Sequence, residues 1–161
     1  MADGQIQIRK LEGTDEADLC ARLMAGSEPW ITLGRSYEDS LKILVDKSKD
    51  IYVAVVDQVI VGFIIINMNG SFVGYIQTVC VKPEMRNKGI GSILLNWAEQ
   101  RIFSETPNVF MCVSSFNKEA LKLYEKLGYE VIGELRDYIV AGHSEILLRK
   151  TIAPMTEFKA S

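Results

Sequence analysis

The stretch Val79-Cys80-Val81-Lys82-Pro83-Glu84-Met85-Arg86-Asn87-Lys88-Gly89-Ile90-Gly91-Ser92 concentrates residue types that can hold an anion. An apolar strand pattern ends at Pro83, a loop with glycine follows, and a helical pattern begins. The first turn of a helix leaves N–H groups unpaired at the positive end of the dipole. Glycine lets a bulky anion approach those amides, and Arg86 and Lys88 add positive charge. These parts suit a pyrophosphate. The competing reading is a tight strand-to-helix turn that merely carries glycine and basic residues, since G-x-G alone is weak. Leu94 stands where a dinucleotide fingerprint needs a third small residue, and no P-loop string occurs.

Other reactive side chains are few. Cys20, Cys80 and Cys112 are odd in number, far apart and set among apolar residues, which predicts buried reduced thiols. His143 is the single histidine. His143-Ser144-Glu145 has the H-x-E spacing of zinc deaminases, but no P-C-x-x-C follows it, and no metal is expected.

Arg86-x-x-Gly89-x-Gly91 after Val79-x-Val81 resembles the acetyl-CoA pyrophosphate motif of the GNAT superfamily of N-acetyltransferases. Downstream, Asn117-Lys118-Glu119-Ala120-Leu121-Lys122-Leu123-Tyr124-Glu125-Lys126-Leu127-Gly128-Tyr129 is similar to the family's N-x-x-A-x-x-L-Y-x-x-x-G-F, with Tyr129 in place of phenylalanine. Two motifs in order, separated by a helix and a strand, are far more specific than either alone. The resemblance covers about residues 50–150; the first 45 fit the order of elements without a motif.

The resemblance implies a mixed α/β fold, a GNAT-like central, mostly antiparallel twisted sheet flanked by helices, with acetyl-CoA as co-substrate. Main-chain groups of Val79, Cys80 and Val81 would pair with the pantetheine and the acyl carbonyl. Arg86, Asn87, Lys88, Gly89, Ile90, Gly91 and Ser92 would hold the pyrophosphate. Asn117 would bond the pantetheine arm, or cap a helix. Tyr124 would act as general acid to the departing thiolate, because a phenol with a reference pKa of about 10 is close to a thiol; the bland alternative is a core tyrosine. The implied reaction is direct transfer to a primary amine in a ternary complex. Cys80 and Cys112, with no histidine near them in sequence, are expected to be inert.

The positions where relatives carry a basic glutamate fall at Cys112 and about Tyr75, so the base is left to water or to Glu28, Glu38 or Glu145. Substrate contacts are expected from Glu28, Trp30, Tyr75 and Tyr138; Trp30 could instead plug the core edge, and His143 reads as a surface histidine. The expected partner is an amine-bearing small molecule or a peptide or protein amine, with no nucleic acid, no membrane and a homodimer permitted. The reading from another class is a non-catalytic acyl-CoA-binding sensor or scaffold.

These residues must be positioned by elements that the pattern also predicts. A strand near 5–11 precedes a helix capped by Thr14 or Asp15, and a second helix opens at Ser36, where Asp39 approximates a capping box. Strands follow at Ile51–Val56 and Val59–Asn67 around Asp57-Gln58, and a long strand at Phe72–Val81 after a turn at Asn69-Gly70. A helix spans Gly89 to Phe103, with Ile90, Ile93, Leu94, Trp97 and Ala98 on one face. A strand at Val109–Val113, a helix at Asn117–Leu127 stopped by Gly128, and strands at Tyr129–Leu135 and Ser144–Lys150 complete the order β-α-α-β-β-β-α-β-α-β-β. With 161 residues, one acetyltransferase domain over 1–152 and a loose polar tail over 153–161 are expected. Hydrophobic residues at 48% and charged residues at 24% exclude disorder and low complexity. A net charge of −3 argues against a dedicated nucleic-acid binder. Met-Ala-Asp-Gly-Gln lacks the basic and apolar regions of a signal peptide, which predicts a cytoplasmic protein.

Overall fold

The computed structural model describes residues 4–161, so the signal-peptide reading of Met1 to Asp3 lies outside the described residues. The elements are β1 (Gln7–Lys10), α1 (Gly13–Ala25), α2 (Tyr37–Leu44), β2 (Asp50–Val56), β3 (Val59–Asn67), β4 (Tyr75–Val81), α3 (Ile90–Phe103), β5 (Asn108–Ser114), α4 (Lys118–Lys126), β6 (Glu130–Arg136) and β7 (Ser144–Thr151). Their order matches the expected one, with a short 3-10 turn at Pro83–Met85 added after β4. Among the described residues the seven strands make one sheet in the order β1-β2-β3-β4-β5-β7-β6. Every neighbouring pair is antiparallel except β4 with β5.

Helices clad both faces of the sheet. On one face Ile64, Ile66, Met111 and Leu148 pack with Leu94 and Leu95 of α3, and α4 leans Ala120, Leu121 and Tyr124 onto this core. On the other, Val53, Phe63 and Ile65 pack with Ala17, Cys20 and Met24 of α1 and Leu44 of α2. This explains why β2 and β3 read as almost continuous apolar runs. Each fully buried aliphatic or aromatic side chain contributes roughly 1.5–3 kcal/mol.

Local chemistry sets several boundaries differently from the sequence pattern. Helix α1 starts at Gly13, ahead of Thr14 and Asp15, and Glu12 is its N-cap. The Glu16 carboxylate accepts the Glu12 N–H at 2.7 Å and is gripped by Arg9 at 2.6 and 3.0 Å, which replaces a capping hydroxyl. The capping box of Ser36 and Asp39 is present on α2. Asp57 and Gln58 both adopt positive φ, 48° and 66°, as a mirror-image two-residue hairpin turn requires, although neither is glycine. On α3 the buried face is Ile90, Leu94, Leu95, Ala98 and Ile102, while Ile93 and Trp97 are about two-fifths exposed at 40% and 39%. The buried stripe advances in steps of four and leaves those two on its margin. The tail after β7 is hydrogen-bonded: Phe158 N–H donates to Pro154 O, and Ser161 N–H to Ser104 O.

Strand β4 begins at Tyr75, three residues later than the apolar pattern suggests, because Gly74 turns the chain with φ +87°. Its carbonyl accepts from Phe110 N–H at 3.0 Å, and a Cβ there would lie 2.5 Å from Asn108 O. This close approach clamps β4 to β5. Beyond the clamp the two strands pair only at Tyr75↔Phe110 and Ile76↔Met111. From Gln77 to Val81 the side of β4 that faces β5 has no strand partner, and the sheet opens into a V.

Candidate active site

The V makes one cleft through the sheet. On the α3/α4 face a groove of about 910 Å³ runs past Arg86, Asn87, Gly89, Gly91 and Ser92. A second cavity of about 720 Å³ is lined by Tyr75, Thr78, Cys112, Ser114, Tyr138 and Glu145. Strand alternation places this second cavity on the α1/α2 side. Thr78 registers on Ile65, which belongs to the α1/α2 core, and Cys112 and Ser114 alternate with Met111 and Val113 of the α3/α4 core. The two spaces share Pro29, Trp30, Val79, Asn117 and Tyr124 as walls.

The groove on the α3 side is built mainly from backbone. Gly89 is the N-cap of α3 with φ +81°, Asn87 precedes it at φ +60°, and no side chain caps the first turn. The amides of that turn therefore remain available to an anion. A Cβ on Gly89 would meet nothing within 4 Å, and one on Gly91 would only touch Val81 at 4.0 Å, so both glycines border open space. Arg86 lines the groove, its Nε donating to Val81 O at 3.3 Å. Lys88 stands outside the wall, its Nζ 4.0 Å from Met85 Sδ. Ile90 buries its side chain and offers only main chain. Cys80 likewise turns its thiol into the α1/α2 core, 4.0 Å from Ser27 Oγ, where burial pushes it up to about 12. An uncapped helix start, two glycines bordering open space, a free β4 edge and an arginine fit a pyrophosphate with an extended arm.

Asn117 and Tyr124 stand at the junction. The Asn117 side chain caps α4 by accepting from Ala120 N–H at 3.4 Å while lining both spaces, so capping and ligand contact are compatible. Tyr124 is half-buried, its ring edge-on to Tyr129 at 6.1 Å. Burial alone, with no charged or hydrogen-bonding partner contributing, pushes its phenol up to about 12. It is a neutral proton donor throughout the physiological range. Trp30 also lines both spaces and packs against the α1/α2 core, so its two readings hold together.

The cavity on the α1/α2 side is built from side chains. Tyr75 faces Cys112, and burial raises both groups above their ordinary values. Tyr138, 64% exposed, stands at the rim. Glu145 lies in β7, registered on Ser114 of β5, and is only 5% exposed. Burial raises its carboxyl above the usual range, partly offset by Ser114, Arg35 and His143. Its Oε2 has no hydrogen-bond partner, and neither do Ser114 Oγ and Thr78 Oγ1. Thr78, Ser114 and Arg35 were not anticipated from sequence: Thr78 and Ser114 are small polar residues in apolar strands, which read as core, and Arg35 stands between α1 and α2 with no motif around it. Glu28 lines the α3-side groove, where its carboxylate accepts from Thr32 N–H at 3.3 Å. Glu38 is exposed on the first turn of α2, outside either wall. His143 is half-buried, edge-on to Phe116 at 4.9 Å. Among the described residues no group of three or more His, Cys, Asp or Glu could hold a metal ion, and no helix is long and apolar enough to cross a membrane.

Comparison with known proteins gives concordant findings. The model of the acetyltransferase (GNAT) family matches residues 17–129. An N-alpha-acetyltransferase of Sulfurisphaera tokodaii is 30% identical over 111 residues, which is 60% of this chain and 66% of that protein. The chain thus spans about two thirds of that relative's length. Among solved structures, a protein of the GNAT family from Desulfovibrio desulfuricans superposes with a TM-score of 0.77 at 17% identity, covering 92% of this chain and all of the other. An aminoglycoside 6'-N-acetyltransferase complexed with coenzyme A gives 0.72 at 20% identity, over 92% and 98% of the two chains. These last two likenesses concern the fold.

Proposed function

This chain belongs to the GNAT family of acetyltransferases, and from that premise we propose that it transfers an acetyl group from acetyl-CoA to a primary amine within a ternary complex. One observation carries the reading: the uncapped first turn of α3 and the Tyr124 phenol open on the same cleft. Acetyl-CoA, when bound, supplies the activated acyl thioester. The first-turn amides from Gly89 to Ser92, with Arg86, hold the pyrophosphate. The unpaired edge of β4 around Val79 and Val81 orients the arm and offers N–H groups to the acyl carbonyl as charge develops there. Tyr124 gives its proton to the leaving sulfur, and its raised pKa keeps that proton in place until it is needed. The curated relative favours a peptide α-amine as acceptor, with small-molecule amines as the other class.

Two experiments test this. Calorimetric titration should show acetyl-CoA binding to the wild type and its loss in Gly91→Trp, where an indole fills the groove from an ordinary helical position. Amine-dependent thiol release should then fall roughly 10²-fold in Tyr124→Phe with binding retained. Absence of wild-type binding would sink the reading. Binding without turnover on any amine would favour the sensor.

A further inference from the structure

Three buried polar atoms without partners line the cleft from both arms of the V: Thr78 Oγ1, Ser114 Oγ and Glu145 Oε2. Such atoms are rare, because burying an unsatisfied carboxylate or hydroxyl is costly. Their residues come from β4, β5 and β7, and each is at least nine-tenths buried, at 3%, 2% and 5% exposure. Strand register makes Ser114 and Glu145 direct cross-strand partners, and Thr78 lines the same cavity from across the V. A carboxylate and two hydroxyls lining one cavity are the donor-seeking set that suits an ammonium.

We propose that Glu145, Ser114 and Thr78 form the acceptor-amine subsite, that Glu145 takes a proton from the incoming ammonium, and that the subsite selects an acceptor bearing one positive charge over a polycation. This rests on the acetyl-transfer reading above. The groups around Glu145 are Arg35 between α1 and α2, Tyr75 on β4, Cys112 on β5, Tyr124 on α4, and Tyr138 and His143 between β6 and β7. Glu145 is the sole carboxylate and Arg35 the sole guanidinium among the described residues that line this half. One acid can neutralise one ammonium. Further cations would meet Arg35 instead of a second carboxylate, whereas the carbonyl oxygens of a peptide would meet a donor. Glu145 lies near enough to act electrostatically on Tyr75 of β4 and Cys112 of β5, so its carboxylate faces both arms of the V from β7.

The proton balance closes. Glu145 removes one proton from R–NH3+, directly or across one water, leaving R–NH2. The amine nitrogen bonds to the acyl carbon, and the carbon–sulfur bond breaks as Tyr124 gives its proton to sulfur. The nitrogen loses its second proton to the Tyr124 phenolate through water, and Glu145 returns the first to solvent. The products are an N-acetyl amine, a free thiol and one released proton.

The test is Glu145→Gln in the full chain, assayed from pH 6.5 to 9.5 with a short peptide bearing a free α-amine, with spermidine and with an aminoglycoside. Acetyl-CoA affinity and melting temperature are measured alongside. A free α-amine titrates near about 8, so it arrives as an ammonium at low pH and neutral at high pH. We expect unchanged acetyl-CoA affinity and roughly 10²-fold slower acetylation of the peptide at pH 6.5. The deficit should shrink steadily toward pH 9.5, which a merely structural role would not produce. The wild type should prefer the peptide to both polycations by about 10-fold or more in kcat/KM, the order of one lost ion-pair interaction. Wild-type rates in Glu145→Gln, or a pH-independent deficit, overturn the base assignment. Equal or better turnover of polycations overturns the charge selection. If the wild type binds no acetyl-CoA, or binds it without acetylating any amine, the acetyl-transfer reading itself falls, and this inference with it.

Discussion

The two halves of the cleft are made by different means. The α3 half uses contiguous chain from Val79 to Ser92, and its working groups are main-chain amides and a strand edge. The opposite half draws Thr78, Ser114, Arg35 and Glu145 from separate elements, and its working groups are side-chain oxygens and one guanidinium. Backbone recognition suits a ligand that does not change between relatives. Side-chain recognition suits an acceptor that does. The contrast predicts that substitutions on the α3 half act on acetyl-CoA affinity, and those on the other half on acceptor choice and pH dependence.

The sharpest way to break that contrast is Gly91→Trp. Binding of acetyl-CoA should fall by at least about 100-fold, nearly 3 kcal/mol, while far-UV circular dichroism stays native, because Gly91 has an open neighbourhood. Persistent binding would mean the anion sits elsewhere. Tyr124→Phe comes next, with a kcat loss of about 10²-fold and little change in affinity.

How far each half could be read from sequence follows from the same contrast. Gly89, Gly91 and Arg86 sit within six positions of one another, so their spacing alone carries the geometry. Asn117 and Tyr124 share one helix and are similarly legible. The element order was also readable, because β2 and β3 are apolar almost throughout and α2 bears its capping box. Glu145 and Ser114 are 31 residues apart in the numbering, and only the β5–β7 register makes them neighbours. Glu145 did carry a faint signal, an acid inside a strand pattern of apolar residues, but nothing local indicated its partners. The start of β4 was misplaced for a related reason: Phe72 continues the apolar pattern, yet Gly74 must approach Asn108 across the sheet.

The clamp that Gly74 provides belongs to both halves, so its loss should not discriminate between them. Gly74→Ala forces a Cβ toward Asn108 O and the Ile102 side chain, 2.5 and 2.6 Å away, at a positive φ. We expect destabilisation of about 1–3 kcal/mol or more, read by urea denaturation, with acetyl-CoA affinity and acceptor preference weakened together. If only one changes, the V is not a single mechanical unit.

Stability sharpens the acceptor half further. Burial raises the Glu145 carboxyl, so its protonated form is favoured in the folded chain. That contribution is complete below the unfolded carboxylate range and is lost as pH rises through the folded pKa. Above that pKa the buried anion is therefore a net cost. Glu145→Gln should melt at the same temperature as wild type or higher at pH 7, and the difference should vanish near pH 4. A variant that is more stable yet slower would place the strain at the acceptor subsite. A lower melting temperature at pH 7 would show that the carboxylate has a structural partner.

The smallest effect is expected at Cys112, and it decides between direct transfer and a covalent route. Its thiol lines the acceptor cavity, in reach of an acyl group by position alone. Burial raises its pKa, and Glu145 nearby disfavours a thiolate further, although Tyr75 opposes this in part. A nucleophilic cysteine needs the reverse, a neighbouring cation or a basic histidine. The histidine of this chain packs on Phe116 instead. Cys112→Ala should therefore keep activity within about 3-fold, less than 1 kcal/mol in the barrier. Intact-mass spectrometry of the wild type incubated with acetyl-CoA and no amine should show no acetylated protein at this position. A stable acetyl adduct on Cys112, lost in the variant along with turnover, would replace the ternary complex with a two-step mechanism and recast Glu145 as the group that activates a thiol.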